Sequence, residues 1–162
     1  MRLYGGNADV ERCEVNEMKE IVIQLLMGTL GSLGFAMMFG LRRRYLFVAS
    51  LGGLLTLSLY LALDAWTHQS FLSNLLATAF AVLYSELLAK CLRAPVTLFL
   101  TPSIVPLVPG GSLYYTMSYV VRGAAEEARI YGLATMKTAL AIAAGISFVL
   151  ACFELFPGRK KA

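Results

Sequence analysis

The segment from Ala94 to Val121 is the longest run of the chain without a charged side chain, yet it contains the strongest helix breakers. Its centre reads TPSIVPLVPGG, residues 101–111. Proline removes a backbone donor, and glycine holds a helix weakly. In lipid, non-helical backbone survives only where it is buried in protein or lines a wet cavity. This segment therefore constrains the fold more than any other part of the sequence.

The rest of the chain is typical of an integral membrane protein. Of its 162 residues, 58% are hydrophobic and 15% charged, and the mean hydropathy is +0.68, which is outside the usual range for a soluble domain. Apolar runs of roughly 20 residues, enough to cross a ~30 Å hydrocarbon core, alternate with clusters of charge. The sequence predicts an all-α integral membrane protein with five transmembrane helices: Ile21 to Leu41, Tyr45 to Leu63, Phe71 to Leu92, Ala94 to Val121 and Thr138 to Phe156.

We expect the fourth of these spans to be broken into two half-helices, Val96 to Val105 and Ser112 to Val121. Ser112 is a preferred N-cap residue, and the glycines before it leave the backbone open to a ligand. The free N–H groups and the positive dipole end of the second half-helix then form a carboxylate site. The alternative is a structural kink, with the tyrosines as interface anchors. The predicted substrate-binding residues are Thr101, Pro109, Gly110, Gly111, Ser112, Tyr114 and Tyr115.

Glu86 is the one acid well inside a predicted span. An intramembrane carboxylate is costly and usually faces a cavity, which makes Glu86 a candidate for proton coupling. Lys90, four residues later, offers a second interpretation, an ion pair in the favourable Glu-before-Lys order near the inner interface. The sequence leaves both interpretations open.

The distribution of cations predicts the orientation. With the N-terminus outside, the densest basic clusters, 42–44 and 159–161, both lie in the cytoplasm with the C-terminus. A re-entrant Pro-Gly segment would put them on opposite sides, so we expect a true crossing. Asp64 counts among the acids outside. The fifth span is expected to start before Thr138, with Lys137 at the interface.

The charge pattern also suggests how the chain is organised. Residues 1–19 read as an acidic extension, and Met18, directly before the first apolar run, offers an alternative start that leaves the extension's native status open. A single transmembrane domain is expected over 20–157, followed by a basic cytoplasmic tail, 158–162. An odd number of crossings predicts a homo- or hetero-oligomer, because an inverted pair then needs a second copy or a homologous partner.

Small residues predict close helix packing. Gly28, Gly31 and Gly34 recur at three-residue intervals, Gly52 and Gly53 are adjacent, and Ala141 and Gly145 form a small-xxx-small pair. A lining role for the glycine stripe of the first span is the alternative.

The sequence carries no signature of an enzyme, a cofactor or a metal centre. Cys13, Cys91 and Cys152 lack metal-ligand spacing, and there is no P-loop or dinucleotide fingerprint. Ser112 and His68 make a weak protease dyad, because GGSL lacks the second glycine of the GxSG pattern. The basic residues behind the net charge of +4 flank the predicted membrane spans and do not form a basic groove. We therefore predict no catalytic residue, no cofactor, no metal and no nucleic-acid partner.

Three stretches resemble a known transporter family: LGFAMMFGLRRRYL (33–46), ASLGGLL (49–55) and LYSELLAKCLRAPVTLFLTPSIVPLVPGGSLYYTM (83–117). They are similar to the threonine/serine exporter family, in particular to its short, membrane-only, YjjB-like subunit, which corresponds to the C-terminal half of the fused exporters. The resemblance covers nearly the whole chain from residue 20, and IVPLVPGGSLYYTM is its most specific part.

This resemblance implies export of small metabolites through the bacterial inner membrane, together with a longer partner subunit. The implied substrates are threonine and serine, or a dicarboxylate such as succinate, all of which carry a carboxylate. Proton coupling is suspected for the family, and Glu86 is the obvious residue to serve it. The alternative function is a non-transporting accessory or scaffold protein that stabilises a partner transporter.

Overall fold

The computed structural model describes residues 6–41, 43–67 and 69–155, with side chains from Met18 onward except those of Arg44 and Glu154. Arg42, His68 and the predicted tail 158–162 lie outside the described residues. In the described part, every regular element is a helix and short turns connect the helices, so the all-α prediction is confirmed there. The helices are α1 Gly6–Met38, α2 Arg43–Thr67, α3 Ser70–Leu92, α4 Thr97–Ile104, α5 Gly110–Val121 and α6 Ala125–Leu155, with a 3-10 turn Val105–Leu107 after α4.

Among the described helices, four are long and apolar enough to cross a membrane. Helix α1 already begins at Gly6, so much of the acidic stretch before the first apolar run continues that helix. Helix α6 is continuous from Ala125, so the last apolar helix starts well before Thr138, as expected. The apolar segments are Met18–Met38, Tyr45–Thr67, Ser70–Leu92 and Ala125–Phe153.

The remaining predicted span is divided into α4, the 3-10 turn and α5. Val108 is extended, with ψ 125°, and Pro109 occupies the N-cap position of α5, with φ −75°. The prediction that Ser112 caps this helix is wrong, because the helix already begins at Gly110. Proline suits this entry since the first-turn N–H groups of a helix have no intrahelical acceptor, and a missing donor costs little there. A single crossing by the whole segment stays a prediction.

Two glycines of α2 let α1 and α4 approach this helix closely. A Cβ added at Gly52 would overlap the Ser103 hydroxyl of α4, and one added at Gly53 would overlap the Ser32 hydroxyl of α1. The packing interpretation is therefore confirmed for Gly52 and Gly53, whereas a Cβ added at Gly31 or Gly34 would meet nothing within 4 Å among the described residues. Helices α1 to α4 enclose polar side chains, and the buried polar or charged residues among those described are Ser32, Ser50, Thr56, Ser73, Asn74, Thr78, Ser85, Glu86 and Ser103.

Helix α6 packs beside α3 in the same direction. A Cβ added at Gly145 would lie 2.9 Å from the Leu75 carbonyl oxygen, near the start of α3. Near the ends of both helices, Lys90 Nζ lies 5.1 Å from the centroid of the Phe153 ring. At 1.5 Å per residue, α6 therefore begins roughly 20 Å beyond the start of α3. Helix α5 packs along this extension of α6.

The contact at Gly145 makes this glycine essential for the packing of α6 on α3. We expect Gly145→Ala to lower the free energy of unfolding by about 1–3 kcal/mol, because its methyl group would press on the α3 backbone. Gly132→Ala in the same helix is the matched control, since its nearest contact would be an ordinary 3.5 Å to Thr116 Cγ2. Thermal unfolding of the detergent-solubilised chain measures both, and equal midpoints would contradict the packing described.

Candidate functional site

The predicted carboxylate site lies at the start of α5. Gly110 and Gly111 are exposed, and among the described residues no other group comes within 4 Å of a Cβ added at either. The Gly110 N–H donates to the carbonyl two residues earlier, 2.7 Å, and the Leu113 N–H donates to Pro109 O, 3.0 Å. Because first-turn amides lack intrahelical acceptors, the amides of Gly111 and Ser112 are the donors this turn offers to a ligand.

The threonine hydroxyls near the break are engaged within their own helices. Thr101 Oγ1 donates to Thr97 O, 3.0 Å, and Thr116 Oγ1 donates to Ser112 O, 2.7 Å. Such back-bonds are the usual way a helix satisfies a threonine hydroxyl. Because each hydroxyl proton is already donated to the backbone, these oxygen atoms can only accept a hydrogen bond from a ligand.

Of the two tyrosines predicted to surround the break, Tyr115 attaches α5 to α6 and Tyr114 does not. Tyr115 lies with its ring centroid 5.5 Å from that of Tyr131 on α6. Tyr119 stacks on the same ring at 5.4 Å, with an interplanar angle of 18°. Tyr114 meets Tyr115 edge to face at 5.7 Å and is itself exposed. Tyr115 therefore has a packing role, whereas Tyr114 has a freely accessible hydroxyl-bearing ring.

Glu86, the proton-coupling candidate, is buried on α3 with 5% of its surface exposed. Lys90, one turn later, is exposed and places its ammonium group over the Phe153 ring. Burial agrees with the expectation for an intramembrane carboxylate. Proton coupling and ion pairing both stay predictions for this residue.

A polar cleft between α1, α2 and the 3-10 turn was not predicted. Its volume is about 490 Å³, within the range of small-molecule sites. The lining residues of each helix recur three or four positions apart and so share one face. Gly28 brings the walls together, since a Cβ added there would lie 3.5 Å from Pro106 Cβ. The lining residues are Gln24, Met27, Gly28, Leu57, Tyr60, Leu61, Asp64 and Pro106.

Asp64 gives this cleft its charge. Its Oδ1 atom is buried, and no donor in the described part of the chain reaches it. Tyr60 lies beside both Asp64 and the Asn74 side chain. A buried acceptor without a donor is energetically costly, so it attracts any donor that can enter. No group of three or more His, Cys, Asp or Glu among the described residues could hold a metal ion, so the cleft offers hydrogen bonds and one negative charge.

The sequence held only weak signals of this cleft. The predicted second span ended at Leu63, which left Asp64 among the outer acids, whereas the apolar helix continues to Thr67. Gln24 is a lone amide near the start of an apolar span, in phase with Gly28. Gln24 on α1 and Asp64 on α2 each place a polar side chain on one face of an otherwise apolar helix, and this could have been noticed in the sequence. That these two faces meet depends on packing, which no local pattern shows.

Long apolar helices around a buried polar interior, with a cleft between them, define a multi-pass helical membrane protein. Residues 24–152 match the family described as threonine/serine exporter, ThrE. The match covers most of the chain, so the chain belongs to the threonine/serine exporter family, a family of transporters rather than enzymes. The resemblance found in the sequence is thereby confirmed. None of the curated proteins and none of the solved structures matches the chain.

We expect the cleft to admit water and small solutes. Leu57 is 7% exposed and lines the cleft, whereas Leu107 is 5% exposed and does not. In a background without Cys13, Cys91 and Cys152, Leu57→Cys should react with a small water-soluble methanethiosulfonate, and Leu107→Cys should stay unmodified. Mass spectrometry of the labelled protein in membranes reads out both. Equal labelling of the two variants would contradict an accessible cleft.

Proposed function

We propose that the chain is the membrane subunit of a secondary exporter for small carboxylate metabolites, namely threonine and serine or a dicarboxylate such as succinate, in the bacterial inner membrane. The observation that carries this proposal is the family match over residues 24–152. Polar and ionisable side chains inside apolar helices support it, because such groups commonly mark a substrate or ion pathway.

The start of α5 is the proposed carboxylate subsite. Helix α5 has 12 residues, enough to present a positive dipole end together with unbonded amides. The Gly111 and Ser112 N–H groups would bind the carboxylate, so the Ser112 side chain is not needed as a cap. Pro109 fixes the entry of the helix, and Gly110 keeps the approach open.

Two further groups of the same segment complete the proposed carboxylate subsite. Thr101, on α4, offers an oxygen whose proton is committed to Thr97 O. Tyr114 and Tyr115 offer phenolic hydroxyls on the turn of α5 that follows the amides. These groups would orient the polar parts of the substrate without adding a fixed charge.

We further infer that α4, the 3-10 turn and α5 together make one crossing, so that the chain crosses the membrane five times. Residues 97–107 and the 12 residues of α5 provide about 35 Å of helix, enough for a ~30 Å core. Five crossings put the N-terminus outside and the basic clusters 42–44 and 159–161 in the cytoplasm. The transmembrane domain would then be 20–157 and the cytoplasmic tail 158–162.

A longer exporter-family subunit, or a second copy of the chain, is the proposed partner. An odd number of crossings leaves the chain without an inverted counterpart of its own. Helix α5 supports this, because none of its residues is buried and its apolar side chains are available for contact. Proton coupling through buried Glu86 belongs to the same proposal.

One observation favours a second candidate, a non-transporting accessory or scaffold chain. Gly110 and Gly111 lie in an exposed turn and not in an enclosed cavity. In that case the exposed face of α5 would serve only to stabilise a partner that carries the whole transport site.

Substitution of both glycines distinguishes the two candidates. The double variant Gly110→Ala, Gly111→Ala places methyl groups over the approach to the amides, so we expect export to fall at least about tenfold, the loss of one hydrogen bond to a charged group. Counterflow of labelled serine, threonine and succinate in proteoliposomes with the partner subunit measures this. Gly132→Ala is the control, and co-purification verifies assembly. Unchanged export by the assembled double variant would favour the scaffold.

A further inference from the structure

The polar cleft is separate from the α5 amides and has the opposite electrostatic character. It contains the Asp64 carboxylate, whose Oδ1 is buried and receives no hydrogen bond within the described residues. We propose that this cleft binds the primary ammonium group of an amino acid, with Asp64 as the charged acceptor, and so selects amino acids over dicarboxylates. The proposal rests on the exporter function proposed above and adds a substrate class to it.

The lining of the cleft suits an ammonium group. Such a group carries three donors and no acceptor. Around the cleft stand three oxygen acceptors from two helices: the Asp64 carboxylate, the Tyr60 hydroxyl and the Gln24 amide oxygen. A charge-assisted hydrogen bond to a carboxylate is about twice as strong as a neutral one.

The same carboxylate discriminates between the two substrate classes of the proposed exporter. Serine and threonine bring one positive and one negative charge, so the positive end neutralises Asp64. Succinate brings two negative charges and no donor at neutral pH, and a second carboxylate near Asp64 would be repelled in a medium of low dielectric constant. The cleft therefore favours zwitterions and disfavours dianions.

The position of the cleft places it next to the proposed carboxylate subsite. Pro106 forms part of its wall, and Pro109 caps α5, so the intervening chain spans at most about 11 Å. The volume of about 490 Å³ accommodates a small amino acid together with water. An amino acid moving along this segment would meet the Asp64 carboxylate, which accepts from its ammonium group, and the amides of Gly111 and Ser112, which donate to its carboxylate.

Two fragments of serine test the assignment. Ethanolamine keeps the ammonium and hydroxyl groups and lacks the carboxylate, whereas 3-hydroxypropionate keeps the carboxylate and hydroxyl groups and lacks the ammonium. By isothermal titration calorimetry of the full chain in detergent, with its partner subunit bound where needed, we expect ethanolamine to bind. Asp64→Asn should weaken ethanolamine binding at least about tenfold and leave 3-hydroxypropionate binding unchanged.

Matched variants exclude a loss of folding as the cause. Glu127→Gln removes an exposed acid of α6 and should change neither titration. Tyr60→Phe keeps the shape of the cleft wall and should weaken ethanolamine binding alone, by less than Asp64→Asn does. Thermal unfolding must show each variant folded. Absence of ethanolamine binding by the folded wild type would overturn the proposal, as would binding that Asp64→Asn and Tyr60→Phe both leave intact.

Counterflow in proteoliposomes separates this proposal from the export function. We expect the wild type to exchange serine faster than succinate, and Asp64→Asn to lose that preference. Exchange of succinate without serine would overturn the ammonium assignment while leaving an exporter. If no substrate were exchanged, the export function would fail, and the calorimetry would still decide whether the cleft binds an ammonium group.

Discussion

The fold depends on the close approach of α1 and α4 to α2 at a pair of adjacent glycines. At Gly52 and Gly53 the space that a Cβ would fill is taken by the hydroxyl groups of Ser103 and Ser32. With α4 seated there, the 3-10 turn after it rests against Gly28, and Pro106 becomes a wall of the polar cleft. Any larger side chain at this contact would separate the helices, so the packing and the candidate cleft share one cause.

The break between α4 and α5 leaves few backbone donors unsatisfied. Of the groups in the turn, the Val108 N–H donates to Val105 O, 3.2 Å, and the Gly110 N–H donates to Val108 O, 2.7 Å. Pro106 and Pro109 have no N–H to satisfy, so the prolines that end the helix also reduce the number of donors left over. The amides that remain lie at the start of α5, where a ligand can reach them. The prolines that break the helix therefore also limit the free-energy cost of unsatisfied backbone N–H groups in this irregular segment.

Length and hydropathy were sufficient to predict the helical class and four of the five expected spans as long apolar helices. The family followed from the resemblance of particular stretches, above all the Pro-Gly segment, and not from composition. The packing of Gly52, Gly53 and Gly145 also followed from residue size. The sequence-based prediction was wrong at Ser112. Serine is a preferred N-cap residue, but Pro109, three residues earlier, already occupies the N-cap position of α5. Asp64 was missed because its role depends on which face of α2 meets α1. That choice is made by tertiary contacts and not by any local pattern.

The central claim is that α4, the 3-10 turn and α5 together make one crossing of the membrane. Its most direct test is the sidedness of the two turns that flank the segment, through Ala94→Cys before α4 and Ala124→Cys after α5, in a chain without its native cysteines. A membrane-impermeant maleimide applied to intact cells and to inverted vesicles should label Ala124→Cys from outside only and Ala94→Cys from the cytoplasmic side only. Labelling of both positions from the same side would contradict the claim.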